Sequence, residues 1–493
     1  MKILMIYPQI PDTFWSFKHA LKFVRRKASN PPLGLLTVAA MLPAEWEKRV
    51  VDMNVSALKD ADMQWADYAF ISAMSIQRPS AEEVIGRCKE QGLTVVAGGP
   101  LFTEQCQEFE GVDHFVLNEA ELTLPPFLRD FQAGELQKVY ATEEHADLSE
   151  TPTPLWELID VYQYDSLSIQ FTRGCPFNCD FCNVTALLGH RVRYKTVEQI
   201  IAELDRIYAL GWRQSIFFVD DNFIGNRKYL KNELLPAIIE WRKDKVGCAF
   251  ITEVSINLSD DEELMEMMSS AGFHSVFVGI ETPDEAGLEE CLKSQNRNRD
   301  LVESVKRLQR HGLQVMGGFI VGFDSDTPTI FERQIAFIQQ SGIVTAMVGL
   351  LQAPYNTRLY NRLKGEGRVV DEMNGDNADG TTNIIPRMDL DTLKRGYRNI
   401  LDGIYSPAPY YQRVRTFLRE YRLPRVKNPL QRQHILALLR SMYWLGLRGK
   451  ERVQYWSLLA WTLLTRPKKL PLAVTLTIYG FHFRKVSELP ASS

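Results

Sequence analysis

Short apolar runs alternate with helical patterns along most of this chain, and that alternation is the strongest limit on how it folds. Between residues 1 and 150 the runs are 2–7, 49–53, 68–72, 94–97 and 114–117, with helical stretches at 33–42, 80–91 and 119–131 between them. Strand, helix and strand at this spacing give a parallel sheet with helices on both faces. The fold class is therefore α/β, beginning with a doubly wound, five-stranded parallel sheet. Residues 151–160 (TPTPLWELID) are proline-rich and read as a linker. Residues 161–386 repeat the unit, with strands at 167–172, 215–219, 248–254, 275–280, 314–321 and 345–351. Six units make a partial (βα)6 barrel whose site lies at the carboxyl ends of its strands. From 387 to 493 the pattern is helical. At 493 residues the chain exceeds one core, so two or three domains are expected.

The first barrel strand, SLSIQFTRG (166–174), runs straight into CPFNCDFC, which carries Cys175, Cys179 and Cys182. The spacing is Cys-x3-Cys-x2-Cys, with no fourth cysteine nearby. Three thiolates bind three irons of a [4Fe–4S] cluster and leave one iron open, whereas a closed electron-transfer cluster uses four cysteines. An open iron binds a substrate or cofactor directly. A zinc site with a distant fourth ligand is the alternative. Cys88, Cys106, Cys248 and Cys291 show no paired spacing. A disulfide framework is not expected, and an oxygen-labile cluster calls for a reducing, cytoplasmic compartment. The start, MKILMIYPQI, reads as a buried strand rather than a signal peptide.

The triad, its place after the first barrel strand, and Phe181 before Cys182 resemble the radical S-adenosylmethionine (radical SAM) enzymes. The resemblance implies that SAM chelates the open iron. One electron, from a flavodoxin- or ferredoxin-type donor, then yields a 5′-deoxyadenosyl radical that abstracts hydrogen from an unactivated carbon. It also implies where SAM lies. Asp220, Asp221 and Asn222 in VDDNF stand where the family has a Gly-Gly-Glu-like turn for the SAM amino group. An ammonium wants such acceptors, although the same residues suit a helix N-cap. Glu253 offers an acceptor for a ribose hydroxyl, and Glu281 in GIET either bonds SAM or caps the strand. Gly318-x-Ile320-x-Gly322 matches the family's adenine-contacting GxIxGxxE, with Ser325 where Glu is usual. Glycines there let the backbone approach a flat ring.

The first 150 residues resemble the cobalamin-binding domain that precedes the radical core in one large branch of the family. PPLGLL (31–36, with Leu33 and Gly34), AGGP (97–100) and NEAE (118–121) carry the likeness. Ligands of such sheets sit beyond the strand ends, here Tyr7, Pro8, Ser72, Ala73, Met74, Gly98, Gly99, Pro100, Asn118 and Glu119. No GxGxxG follows the first strand, which weakens a dinucleotide reading. No DxHxxG is present, and His19 reads as a helix-surface histidine, so the corrinoid would be held by backbone and shape. A degenerate sheet without ligand is the alternative.

The net charge of −4 hides an asymmetry: residues 413–493 hold 16 Lys and Arg against 3 Asp and Glu. Their apolar runs, 455–464 and 470–483, are too short to cross a bilayer and are separated by RPKK. Trp444, Trp456 and Trp461 beside clustered Lys and Arg suit a helix lying in the membrane interface. A helical subdomain packed on the barrel with a basic outer face fits equally. Nucleic acid is not the expected partner. The tail, with PYNTRLYNRL (354–363) and TFWSFKHALKF (13–23), resembles a cobalamin-dependent radical SAM subgroup that includes the hopanoid C-2 methylases. That likeness implies a methyltransferase acting on an unactivated carbon of an apolar, polycyclic substrate, with a hopanoid-type lipid favoured. A cyclase or ring-rearranging enzyme, a tetrapyrrole methylase and a non-catalytic corrinoid or cluster sensor are the alternatives.

Overall fold

The computed structural model describes residues 1–376, 378–424 and 432–488. Strand β1 (Lys2–Tyr7) has Ile3, Leu4, Met5 and Ile6 fully buried, as a strand covered on both faces must be. Around it lie β2 (Glu47–Asp52), β3 (Tyr68–Ser72), β4 (Thr94–Gly98), β5 (His114–Val116) and β6 (Val139–Tyr140), all parallel in the order β2-β1-β3-β4-β5-β6. The sheet has six strands where five were expected. The added strand is two residues long with Val139 exposed, too short to show a period. One apolar core centred on Leu4, Ile6 and Phe102 covers one face, and Ile3, Met5, Leu35 and Phe127 cover the other.

The second parallel sheet follows the expected units: β7 (Ser166–Ile169), β10 (Ser215–Phe218), β11 (Phe250–Glu253), β12 (Phe273–Glu281), β13 (Gln314–Val321) and β14 (Thr345–Leu350). They neighbour one another in chain order, an open six-stranded barrel. A two-stranded antiparallel ribbon, β8 (Thr172–Arg173) with β9 (Arg193–Tyr194), stands at the end of β7. Residues 151–160 do not hang free. Trp156 is fully buried in the barrel core, and Gln199 Nε2–H donates to the Thr151 carbonyl at 2.9 Å.

Helices Leu390–Tyr405, Pro407–Glu420, Arg432–Ser441, Arg452–Thr465 and Leu470–Ser487 form the C-terminal unit. The 470–483 run is its central helix, with Ala473, Leu476, Thr477 and His482 fully buried, and not an interfacial one. A helix apolar all round belongs inside a core as readily as at a bilayer. The chain between β1 and β2 leaves its own sheet to meet it: Phe14 stacks on Phe483 at 4.4 Å, and His482 Nε2 bonds the Phe14 carbonyl at 2.9 Å. Among the described residues no helix is long and apolar enough to cross a membrane.

Candidate active site

The β8–β9 ribbon closes the base of the loop that carries the three cysteines. Gly174 sits at φ +90°, and a Cβ there would lie 2.7 Å from the Arg191 carbonyl, so only glycine fits. Cys175 N–H donates to the Gly189 carbonyl and Cys182 N–H to that of Cys179, both at 3.3 Å. Burial pushes the Cys182 thiol up to about 12, with Cys179 and Cys175 adding to the shift. A bound cation deprotonates such thiols outright. Among the described residues no three His, Cys, Asp or Glu side chains converge where one ion would sit. A four-iron cube instead takes its three thiolates from separate corners, so its ligands need not converge on one point.

The acidic strand ends divide by what already holds them. Asp220 is buried and accepts the backbone N–H groups of Phe171, at 3.4 Å, and of Thr172. It fastens the end of β10 to the strand before the triad. Asn222 Oδ1 accepts the Ser255 N–H at 3.1 Å and so ties β10 to β11. Asp221 takes the backbone N–H groups of Gly174 and of its own residue, whereas burial and neighbouring charges act on Glu253. Burial raises Asp221 to about 6 and Glu253 to about 8, and in Glu253 the charges of Asp221 and Asp220 add to the shift.

Glu281 adopts a left-handed backbone at φ 64°, uncommon outside glycine. Its surroundings impose it: Gln334 Nε2–H donates to its carbonyl at 3.0 Å, and Lys293 Nζ grips its Oε1 at 2.6 Å. Non-glycine residues held this way cluster at functional sites. The motif reading did not include Lys293. It is a part-buried cation within reach of the Cys179 charge, 5.9 Å from the Phe181 ring centroid, and Gln295 Nε2 lies 3.7 Å from Cys179 Sγ. No local signal could find these groups, because they lie more than a hundred residues after the triad.

Phe181 and Ile320 both pack against the same small apolar cluster, which includes Cys291 and Phe323. Gly318 leaves room for Phe277, whose ring carbon a Cβ would meet at 2.8 Å, and Gly322 is held at φ +108°. Ser325, where the motif usually has Glu, donates its N–H to Glu290 Oε2 at 2.8 Å, so a carboxylate from another helix caps that turn.

Inside the barrel, Phe217, Ile251, Glu253, Phe277, Met316 and Met347 are only part-buried between buried neighbours. They face an open lumen. Trp15, from the N-terminal excursion, enters it: its ring meets Phe277 edge-on at 5.4 Å, and its Nε1–H donates to Met347 Sδ at 2.9 Å. The lumen is thus apolar, with the Glu253 carboxylate at its upper end.

A cavity of ≈360 Å³ opens beneath the ends of β3, β4 and β5 and is shared with the barrel residues Gln170 and Val219. Of the strand-end residues singled out above, Leu33, Gly34, Ser72, Gly98, Gly99, Pro100, Asn118 and Glu119 line it, while Tyr7, Pro8, Ala73 and Met74 do not. The end of β1 is closed by its own bonds: Pro8 accepts Gln77 Nε2–H at 2.6 Å and Asn54 Nδ2–H at 3.3 Å. Ala73 is buried and Met74 points to solvent. Val38, Phe70 and Leu124 make the cavity walls apolar, and Gly34 faces open space. The cavity is smaller than a whole corrinoid and fits a portion of one. His19 is elsewhere, 5.6 Å from the His482 ring and 3.8 Å from Asp12, with burial lowering its pKa.

Glu119 is a node rather than a free ligand. Its Oε2 receives Arg173 at 2.9 Å and Arg193 at 2.7 Å, and Glu121 Oε1 receives Arg173 at 2.8 Å. Burial works against these carboxylates, yet the guanidiniums hold both below the usual range. Arg173 stands two residues before Cys175, so this network bolts the cluster loop to the first sheet. Removing one partner of such a pair leaves a buried charge exposed to its full penalty.

Comparison with known proteins agrees with this layout. Residues 23–128 match the B12 binding domain, 169–338 the radical SAM superfamily, and 357–492 a domain of unknown function. An uncharacterized methyltransferase of Synechocystis is 39% identical over 99% of this chain and 92% of its own. The hopanoid C-2 methylase of Rhodopseudomonas palustris is 33% identical over 92% of this chain and 88% of its own. The fold also matches the cobalamin-dependent radical SAM enzyme OxsB, solved with aqua-cobalamin and SAM, at a TM-score of 0.64 and 12% identity, over 98% of this chain and 79% of that one. The chain belongs to the cobalamin-dependent branch of the radical SAM superfamily, in the group of methyltransferases that includes the hopanoid C-2 methylase, and its cofactors are a [4Fe–4S] cluster, SAM and cobalamin.

Proposed function

We propose that this methyltransferase places a methyl group on an unactivated carbon of an apolar, polycyclic substrate, with a hopanoid-type lipid as the favoured case. The observation that carries the substrate class is the lumen between the triad and Trp15, lined by Phe217, Ile251, Phe277, Met316 and Met347. When bound, the cluster, SAM and cobalamin supply the radical and the methyl group. The chain's residues supply position and dryness. Apolar walls exclude water from a reactive centre, the Arg173 network holds the cysteine loop against the first sheet, and the carboxylates of Asp221 and Glu253 would hold the amino group and a ribose hydroxyl of SAM, respectively. The kinship with the Rhodopseudomonas enzyme supports the hopanoid case. An electron donor of flavodoxin or ferredoxin type and contact with a membrane surface go with this reading. Lipid profiling of a strain lacking the gene tests it: a polycyclic lipid one methylene heavier should disappear, and an unchanged profile contradicts the hopanoid case.

The lumen makes a prediction of its own. Trp15→Ala should lower kcat/KM for the lipid about tenfold through lost apolar contact, while substrate-free cleavage of SAM continues. Equal loss of both activities would mean that Trp15 only supports the fold.

Glu253 gives the pH dependence. Its carboxyl sits at about 8, so it is protonated in the free protein at pH 7. The positive charge of bound SAM favours the carboxylate, so binding SAM expels a proton, and affinity should rise with pH up to about 8 and then level off. Calorimetry in two buffers of different ionisation enthalpy reads the released proton. Glu253→Gln should abolish it, and identical heats for the wild-type protein would contradict the role.

A further inference from the structure

We infer that the outer face of the helices Arg432–Ser441 and Arg452–Thr465 docks on an anionic lipid bilayer and that the guanidiniums around Trp461 take its phosphate groups. On the first helix and the turn that follows it, Ile435, Leu439, Trp444 and Leu447 all lie exposed, Leu447 by 64%. The second helix buries Tyr455, Leu458 and Thr462 on its inner side. Its opposite side carries Val453 and Leu464, exposed by 70% and 83%, and Leu463, exposed by 57%, lies on the flank beside it. Val453 and Leu464, at i and i+11, share one stripe of the helix. Trp456 joins the two surfaces, its Nε1–H donating to the Gly446 carbonyl at 2.9 Å. Large apolar side chains gathered on one face mark a docking site.

The charge around this face says what covers it. Between Arg432 and Lys469 there are eight Lys and Arg and a single acid, Glu451, which is already taken by Arg484 at 2.5 Å. Trp461, one turn before Leu464, has three guanidiniums against its ring: Arg415 and Arg419 at 5.7 Å and Arg466 at 5.2 Å. Arg415 bonds the Ser457 hydroxyl at 2.8 Å, and Arg466 that of Thr465 at 3.4 Å. Among the described residues no carboxylate pairs with any of the three. At the other edge Arg448 lies 4.9 Å over Tyr443. Three like charges converging without an acid repel one another, and an anion relieves that. An apolar stripe bordered by cations and indoles suits the headgroup boundary of an anionic membrane. A protein partner of acidic surface would leave the stripe of leucines unexplained.

The inference concerns this face alone, and its failure leaves the methyl-transfer reading intact. The test is flotation of the full-length, cofactor-loaded protein with vesicles of phosphatidylglycerol and phosphatidylcholine, and with phosphatidylcholine alone. Binding to the anionic vesicles is expected and should weaken with salt. Arg415→Gln, Arg419→Gln and Arg466→Gln together should weaken it about a hundredfold, and Leu447→Asp with Leu464→Asp about tenfold or more. Unchanged thermal midpoints and cobalamin absorbance show that these surface variants are folded. No flotation at low salt, or flotation unaffected by either set, overturns the inference. Full competition by soluble glycerol phosphate would assign the arginines to a free anion instead. A dimer in sedimentation that Leu464→Asp dissociates would assign the face to a second copy of the chain.

Discussion

Replacing Cys175, Cys179 and Cys182 together by Ala should remove all the iron, about four atoms per chain, that anaerobic reconstitution gives the wild-type protein. Formation of 5′-deoxyadenosine on reduction should fall to background with it. Among the described residues no group of three His, Cys, Asp or Glu side chains converges as an alternative single-ion site. Cys291 is the sharpest control. It lies directly beneath the loop, where its carbonyl accepts the Asp180 N–H at 3.2 Å. Its thiol, however, points at the Leu288 carbonyl of its own helix, 3.8 Å away. Cys291→Ser should therefore keep its iron, as should variants of Cys88, Cys106 and Cys248. A full cluster in the triple variant, or its loss in Cys291→Ser, would mean that the ligands are wrongly assigned.

The second large effect is expected at Gly99. Its φ of +92° is one that other residues adopt only under strain, and a Cβ would lie 2.7 Å from Ser72 Oγ, inside the wall of the cavity. Gly99→Leu should weaken binding of hydroxocobalamin to the full-length protein about a hundredfold, combining backbone strain with overpacking. Iron content should not change. Gly34→Ala is the companion variant: nothing lies within 4 Å of its added methyl, and binding should change little. Equal affinity of wild type and Gly99→Leu, both folded, would remove the cavity from the cofactor's path.

The strands were legible because parallel, doubly covered strands are continuous apolar runs between turn residues, and Gln314–Val321 shows that pattern in full. Strands of two residues, such as Val139–Tyr140 and the ribbon Thr172–Arg173 with Arg193–Tyr194, carry no such pattern. The triad was legible as local spacing. Long-range partners were not: Lys293 reaching Glu281 and the cysteine loop, Trp15 reaching Met347, and Arg173 reaching Glu119 and Glu121 all depend on the finished topology. The acidic run at 220–222 was legible as polar strand-end chemistry. The backbone that each of them ties down, Phe171 and Thr172 for Asp220, Gly174 for Asp221 and Ser255 for Asn222, depends on the finished topology. Cobalamin contacts were expected at the ends of β1, β3, β4 and β5, yet the cavity gathers those of β3, β4 and β5 only, because Gln77 and Asn54 seal the end of β1.

Anaerobic turnover with SAM carrying a deuterated methyl group tests the account most directly. With a polycyclic lipid substrate and a reductant, the product should gain the whole labelled methyl group in place of one hydrogen, and 5′-deoxyadenosine should form alongside it. Formation of 5′-deoxyadenosine with a rearranged or cyclised product that carries no label would contradict methyl transfer, and label transfer without 5′-deoxyadenosine would contradict the radical step.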